Sequence, residues 1–136
     1  MRDLPPAPLP GGGPPLANLV ALGDSGGGDA ALPQLFCLHS LHGRATQWAQ
    51  LAAGMRGHAE VLGLEHPLLR SGAAADERPA SLAQLAARHA GTLVQASGLT
   101  RPHLVGESFG AALAHKTATM AAALGARPRL LAMVEP

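Results

Sequence analysis

One cysteine, one tryptophan, two phenylalanines and no tyrosine occur in a chain of 136 residues. The lone thiol, Cys37, excludes an internal disulfide framework and fits a reducing compartment. The shortage of aromatic rings leaves aliphatic residues and alanine to fill a core, and with 47% of the chain apolar there are enough of them. Charge is scarce too: ten Lys and Arg against nine Asp and Glu leave a formal net charge of +1. The basic residues are scattered, which excludes the footprint of a nucleic-acid binder and the patch that docks on an anionic membrane. No apolar run approaches the roughly 18–20 residues that span a bilayer. The N-terminus also lacks the continuous apolar segment of a signal peptide. The expectation is one modest domain in the cytoplasm.

Proline and glycine are concentrated at the start. Residues 1–33 hold seven of the twelve prolines and seven of the seventeen glycines, and read as a linker, mostly disordered, in which ANLVALG alone could form a short strand. From residue 34 the composition changes and regular elements begin. LFCLH (35–39) is a short apolar run, hence a buried strand. TQWAQLAAGM (46–55) has helical spacing, and EVLGLE (60–65) reads as a second strand. After a loop, SLAQ opens a helix with a capping box, Ser81 at the cap and Gln84 three residues on. Its apolar stripe is Leu82, Leu85, Ala86, His89 and Leu93. PHLVG (102–106) is a third strand, a helix follows from 109 to 124, and RLLAMVE (129–135) is a fourth strand. Strands alternating with helices predict an α/β fold around a parallel sheet.

The stretch HLVGESFGAALAH (103–115) puts Ser108 where the third strand meets its helix. In so sharp a turn the residues two before and two after the serine crowd each other, and Gly106 and Gly110 remove the side chains that would clash. The hydroxyl is lifted clear of the sheet at a helix N-terminus, where backbone N–H groups favour negative charge. This is the G-x-S-x-G elbow of a serine nucleophile. A plain N-cap serine is the rival reading; it accounts for Ser108 but not for both glycines.

A serine hydroxyl needs a base, commonly a histidine oriented by a carboxylate. Glu135 ends the next strand, 27 residues on, and adjacent parallel strands bring their C-terminal ends to one edge, so Glu135 is the candidate acid. A solvated strand-end carboxylate explains it equally well. No histidine follows it, and His39, His42, His58, His66, His89, His103 and His115 are poorly placed for the base. The expectation is a fragment without the catalytic histidine and with little turnover. The oxyanion donors would be the N–H of Phe109 and the backbone of Ser40 or Leu41 in the loop HSLHG. His39 and His42, three apart, are expected to be loop histidines at a site mouth; no metal site and no bound cofactor are expected.

On these residues, positions 32–135 resemble the first half of a type I thioesterase domain of polyketide and non-ribosomal peptide synthases. LFCLHSLHG is similar to that family's strand and oxyanion loop, with Ser40 for its usual proline and His42 for its first glycine. HLVGESFGAALAHKTA resembles the G-x-S-x-G segment, including a non-catalytic histidine, here His115. LLAMVEP resembles the strand that carries the catalytic acid, with Glu135 for the usual Asp. The resemblance implies an α/β-hydrolase-like sheet with helices on both faces, truncated after the strand that follows the nucleophile helix. It also implies release of an acyl chain from the phosphopantetheine thioester of an acyl or peptidyl carrier protein, presented in cis across the linker. Two alternatives stay open: another serine esterase or lipase of the same fold, and a non-catalytic module that docks on a carrier.

Overall fold

The computed structural model describes residues 5, 7, 16, 18–23, 32–69, 79–97 and 101–135. Five strands form one sheet among these residues: β1 (Leu19–Ala21), β2 (Gln34–Leu38), β3 (Glu60–Leu64), β4 (His103–Glu107) and β5 (Leu130–Val134). Three α-helices connect them: α1 (Ala49–Gly54), entered through a 3₁₀ turn at Thr46–Trp48, α2 (Leu82–Ser97) and α3 (Phe109–Ala123). The strand order is β1-β3-β2-β4-β5.

The four strands expected from the sequence are parallel to one another. β1 departs from that pattern: it runs antiparallel to β3, Val20 opposite Gly63, so the sheet is mixed. It comes from the single strand-like stretch of the Pro- and Gly-rich segment, and Leu19 and Val20 are fully buried. Most of residues 1–33, expected to be a disordered linker, lies outside the described residues.

The path of the chain fixes which face each helix covers. From β2 it moves one way to β3; from β3 it crosses back over β2 to β4 and continues to β5. With right-handed crossovers, reversing direction moves the connection to the other face. α2 and α3 therefore share a face, and α1 lies on the opposite one. The strand residues divide accordingly, as a period of two requires. Leu19, Phe36, Leu38, Leu62, Leu64 and Leu104 pack with Leu85, Ala90 and Leu93 of α2 and Leu113 of α3. Val20, Cys37, Val61 and Val105 pack with Trp48 and with Ala52 of α1. The direction reverses between β2 and β4, and the C-terminal strand ends at such a switch point are the usual ligand position in such sheets.

The capping box of α2 forms with a shift of one residue. Ser81 Oγ accepts from the Gln84 N–H at 3.1 Å, while Gln84 Oε1 accepts from the Ala80 N–H at 2.7 Å instead of from Ser81. Leu82 leaves the expected apolar stripe and is 38% exposed, because it lies in the first turn, before the helix reaches α3. Gly125, at φ 100°, follows the end of α3. No helix among the described residues is long and apolar enough to cross a membrane.

Candidate active site

Ser108 stands at the C-terminal edge of β4, directly before α3, with φ 56° and ψ −120°. A residue with a Cβ reaches such a conformation only at a cost of about 1–3 kcal/mol, and only where its surroundings enforce it. The two glycines show how tight those surroundings are. A Cβ on Gly106 would lie 2.0 Å from the carbonyl oxygen of Gly110, and a Cβ on Gly110 would lie 2.7 Å from the carbonyl oxygen of His39. The turn closes on itself on one side and presses α3 against the end of β2 on the other. Ser108 is exposed, and its hydroxyl makes no cap hydrogen bond to the helix. The rival reading of a capping serine thus loses its defining contact.

The Ser108 N–H donates to the Val134 carbonyl at 3.0 Å, extending the β4–β5 ladder in which Glu107 pairs with Val134. Glu135 follows immediately, exposed and at φ 47°. Ser108 and Glu135 are therefore neighbours across adjacent strand ends. Phe109 is the first residue of α3, so its N–H has no acceptor within the helix.

The expected oxyanion loop leaves the end of β2 beside the elbow. Ser40 is half-buried and Leu41 is 81% exposed. The Ser40 carbonyl is held twice, by the Gly43 N–H at 3.0 Å and by His39 Nδ1 at 2.8 Å. The Leu41 N–H meets no acceptor among the described residues. Trp48 Nε1 donates to the Leu38 carbonyl at 2.9 Å, which fixes the strand end from the α1 side.

His39 does not line a site mouth as the sequence led one to expect. It is 1% exposed, because its side chain turns under the loop to meet α2, where its Nε2 lies 2.9 Å from Nε2 of His89. Burial lowers its pKa to about 4, partly opposed by the hydrogen bond to the Ser40 carbonyl, with lesser lowering from the nearby His66 and His42. His89 is fully buried, and desolvation, followed by His39, His66 and Arg88, pushes its pKa well below the ordinary value. Its Nδ1 lies 3.3 Å from the Asn18 amide nitrogen, and Asn18 Oδ1 accepts from the Thr92 hydroxyl at 2.8 Å. The sequence marked His89 as part of an apolar stripe. Asn18 and Thr92 carried no signal at all, since their partners are 71 and 74 residues away.

His42 is exposed and its Nδ1 accepts from the Arg44 N–H; His115 is exposed on α3. His103 begins β4 and so lies at the opposite sheet edge from Ser108. No histidine hydrogen-bonds to Ser108 among the described residues.

The sheet, its helices and the turn at Ser108 define an α/β-hydrolase-like protein. The thioesterase domain family matches residues 33–135, and the chain belongs to that family. Among solved structures it is similar to the Vlm2 thioesterase domain bound with a dodecadepsipeptide, with 26% identity, a TM-score of 0.71, and coverage of 88% of this chain and 45% of that one. It shares its fold with BorB, the type II thioesterase from the borrelidin biosynthetic cluster (21% identity, TM-score 0.69, 86% and 46% covered). It also shares it with a membrane phospholipase A (23% identity, TM-score 0.64, 79% and 33% covered). The chain thus spans less than half the length of these structures. A comparison with curated proteins finds no match.

Proposed function

We propose that the chain carries the nucleophile, the acid and the oxyanion donors of a thioesterase that releases an acyl, polyketide or peptidyl chain from a carrier protein's phosphopantetheine arm. The observation that carries this reading is the conformation of Ser108: strained, exposed, uncapped, and wedged between glycines that admit no side chain. Strain of this kind is retained where a side chain has a task other than packing.

In this reading Ser108 Oγ attacks the thioester carbonyl. The carbonyl oxygen becomes an oxyanion between the N–H groups of Phe109 and Leu41, at the positive end of α3. The C–S bond breaks, the phosphopantetheine thiol departs with a proton, and the acyl group stays on Ser108 as an ester. Water or an internal nucleophile of the acyl chain then takes it off. Glu135 orients the base that accepts the Ser108 proton, and that base is the one part that the described residues do not supply. The carrier is presented in cis.

The test is acyl transfer. The chain is incubated with an acyl-loaded carrier protein and, separately, with an oxygen ester of the same acyl group, and the adduct is mapped by mass spectrometry. The expected result is a stoichiometric ester on Ser108, formed faster from the thioester and absent in Ser108→Ala. Preference for the oxygen ester would favour the esterase or lipase reading, whose fold the phospholipase shares. Carrier binding that is unchanged by Ser108→Ala, with no adduct, would leave a docking module.

A further inference from the structure

Four buried side chains form a line that ends on the loop beside Ser108, and hydrogen-bond chemistry fixes the direction of every link. The Ser40 carbonyl can only accept, so His39 Nδ1 carries a proton and donates to it at 2.8 Å. His39 is buried and neutral, so its Nε2 is bare and accepts from Nε2–H of His89 at 2.9 Å. His89 Nδ1 must then accept, and the group facing it at 3.3 Å is the Asn18 amide N–H. That leaves Asn18 Oδ1 to accept from the Thr92 hydroxyl at 2.8 Å. Each contact has one donor and one acceptor, and both imidazoles stay uncharged. Asn18 is itself pinned, its carbonyl accepting from the Glu65 N–H at 2.9 Å.

The line ends on the peptide between Ser40 and Leu41. With its carbonyl held by His39 and by Gly43, that peptide cannot rotate. Its bond is trans, so the Leu41 N–H faces away from the buried histidines, where no described group accepts from it. We infer that His89, Asn18 and Thr92 are positioning residues. Through His39 they fix the direction of the Leu41 N–H, the second oxyanion donor. This deepens the thioesterase reading and rests on it. It also explains a fully buried histidine among the apolar residues Leu85, Ala86, Ala90 and Leu93, which packing alone leaves without a reason.

The experiment compares His89→Gln, whose amide N–H can replace the donor to His39, with His89→Leu, which cannot supply one. Thr92→Val, which removes the far end of the line together with the hydroxyl's 3.2 Å contact to the Arg88 carbonyl, serves as a milder third variant should the leucine chain fail to fold. Three readouts are taken on the full chain: the imidazole tautomers by long-range proton–nitrogen correlation, hydrogen exchange at the Gly43 amide, and the rate of Ser108 acylation by an acyl N-acetylcysteamine thioester. The wild type should show a proton on Nδ1 of His39 and on Nε2 of His89. His89→Leu should speed Gly43 exchange at least about tenfold. It should also lower the maximal acylation rate by up to about 10²-fold, the order of one lost oxyanion donor, with half-saturation unchanged. His89→Gln should stay within a few-fold of wild type on both readouts, and Thr92→Val should fall between them. The opposite tautomers, or leucine and glutamine variants that behave alike, would overturn the positioning role. A wild-type chain that takes no acyl group at Ser108, with the expected tautomers present, would instead overturn the catalytic reading and the donor role with it.

Discussion

The Ser108 N–H donates to the carbonyl of Val134 at 3.0 Å, and so ties the strained turn after β4 to the last residue of β5. Val134 directly precedes Glu135, so the bond sets close together the two positive-φ residues other than glycine among the described residues, Ser108 at 56° and Glu135 at 47°. Both depart from the parallel ladder at the same edge, the one into a helix and the other away from β5. A hydroxyl and a carboxylate 27 positions apart in sequence are thereby placed on neighbouring strand ends.

The glycines of the elbow should respond to alanine in a graded way. Gly106→Ala sets a Cβ against backbone atoms of Gly110 and Ala111 within 3 Å, so the turn has to open. We expect at least about 3 kcal/mol of lost stability. Gly110→Ala meets the His39 carbonyl at 2.7 Å, and about 1–3 kcal/mol is expected as α3 moves off the end of β2. Gly91→Ala, inside α2 with no atom within 4 Å of its Cβ, should instead stabilise by up to about 1 kcal/mol. Urea denaturation of the three variants checks the order; a neutral Gly106→Ala would contradict the described turn.

Stability should fall on acidification because of the buried histidine pair. His39 titrates near 4 when folded and at its ordinary value of 6.5 when unfolded, so between those values the unfolded chain binds a proton that the folded chain refuses. The His39 contribution, roughly 3 kcal/mol, is fully present above pH 6.5 and is lost as the pH falls through 4. His89, lowered in the same direction, adds to the slope. The direct measurement is the His39 C2 proton shift, which should stay constant from pH 7.5 to 5. A midpoint near 6.5 would mean that the ring is solvated.

Cys37 should be inert in the folded chain. It is fully buried in the middle of β2, and desolvation raises its pKa to about 12, so almost no thiolate exists at neutral pH. Ellman's reagent should react only at the rate of unfolding, and at once in denaturant. Fast native labelling would rule out the packing around β2.

β5 should promote self-association. It lies at the edge of the sheet, and Leu130, Met133 and Val134 are 55%, 45% and 41% exposed. An apolar edge strand without charge offers its free N–H and C=O groups to another chain. Sedimentation should show a concentration-dependent oligomer at tens of micromolar, and Met133→Lys should shift it towards monomer. A wild-type chain that stays monomeric throughout that range would contradict the expectation.

The strands, the helices and the elbow were legible in the sequence because each is written in neighbouring residues. LFCLH and EVLGL are apolar runs of strand length, α1 and α2 carry a repeat near 3.6, α3 stops ahead of Gly125, and the elbow needs glycine two positions either side of its serine. Local rules also misplaced details: the Gln84 contact moved to Ala80, and Leu82 turned to solvent, because chain entry and the position of a neighbouring helix decided them.

Only the tertiary structure decided what lies beside what. Sequence gives strands but not their order, so the direction reversal between β2 and β4, the strand that ends at Ser108, followed from the packing of α1 and α2 on opposite faces. The orientation of β1 depended on β3, since three residues of strand-like sequence have no preference of their own between parallel and antiparallel partners. The line from Thr92 to Ser40 was the least legible of all. Its links join residues 50, 71 and 74 positions apart. A hydrogen bond between such residues leaves no periodicity in either segment, so a buried histidine reads as one more member of an apolar face until its partner is brought to it.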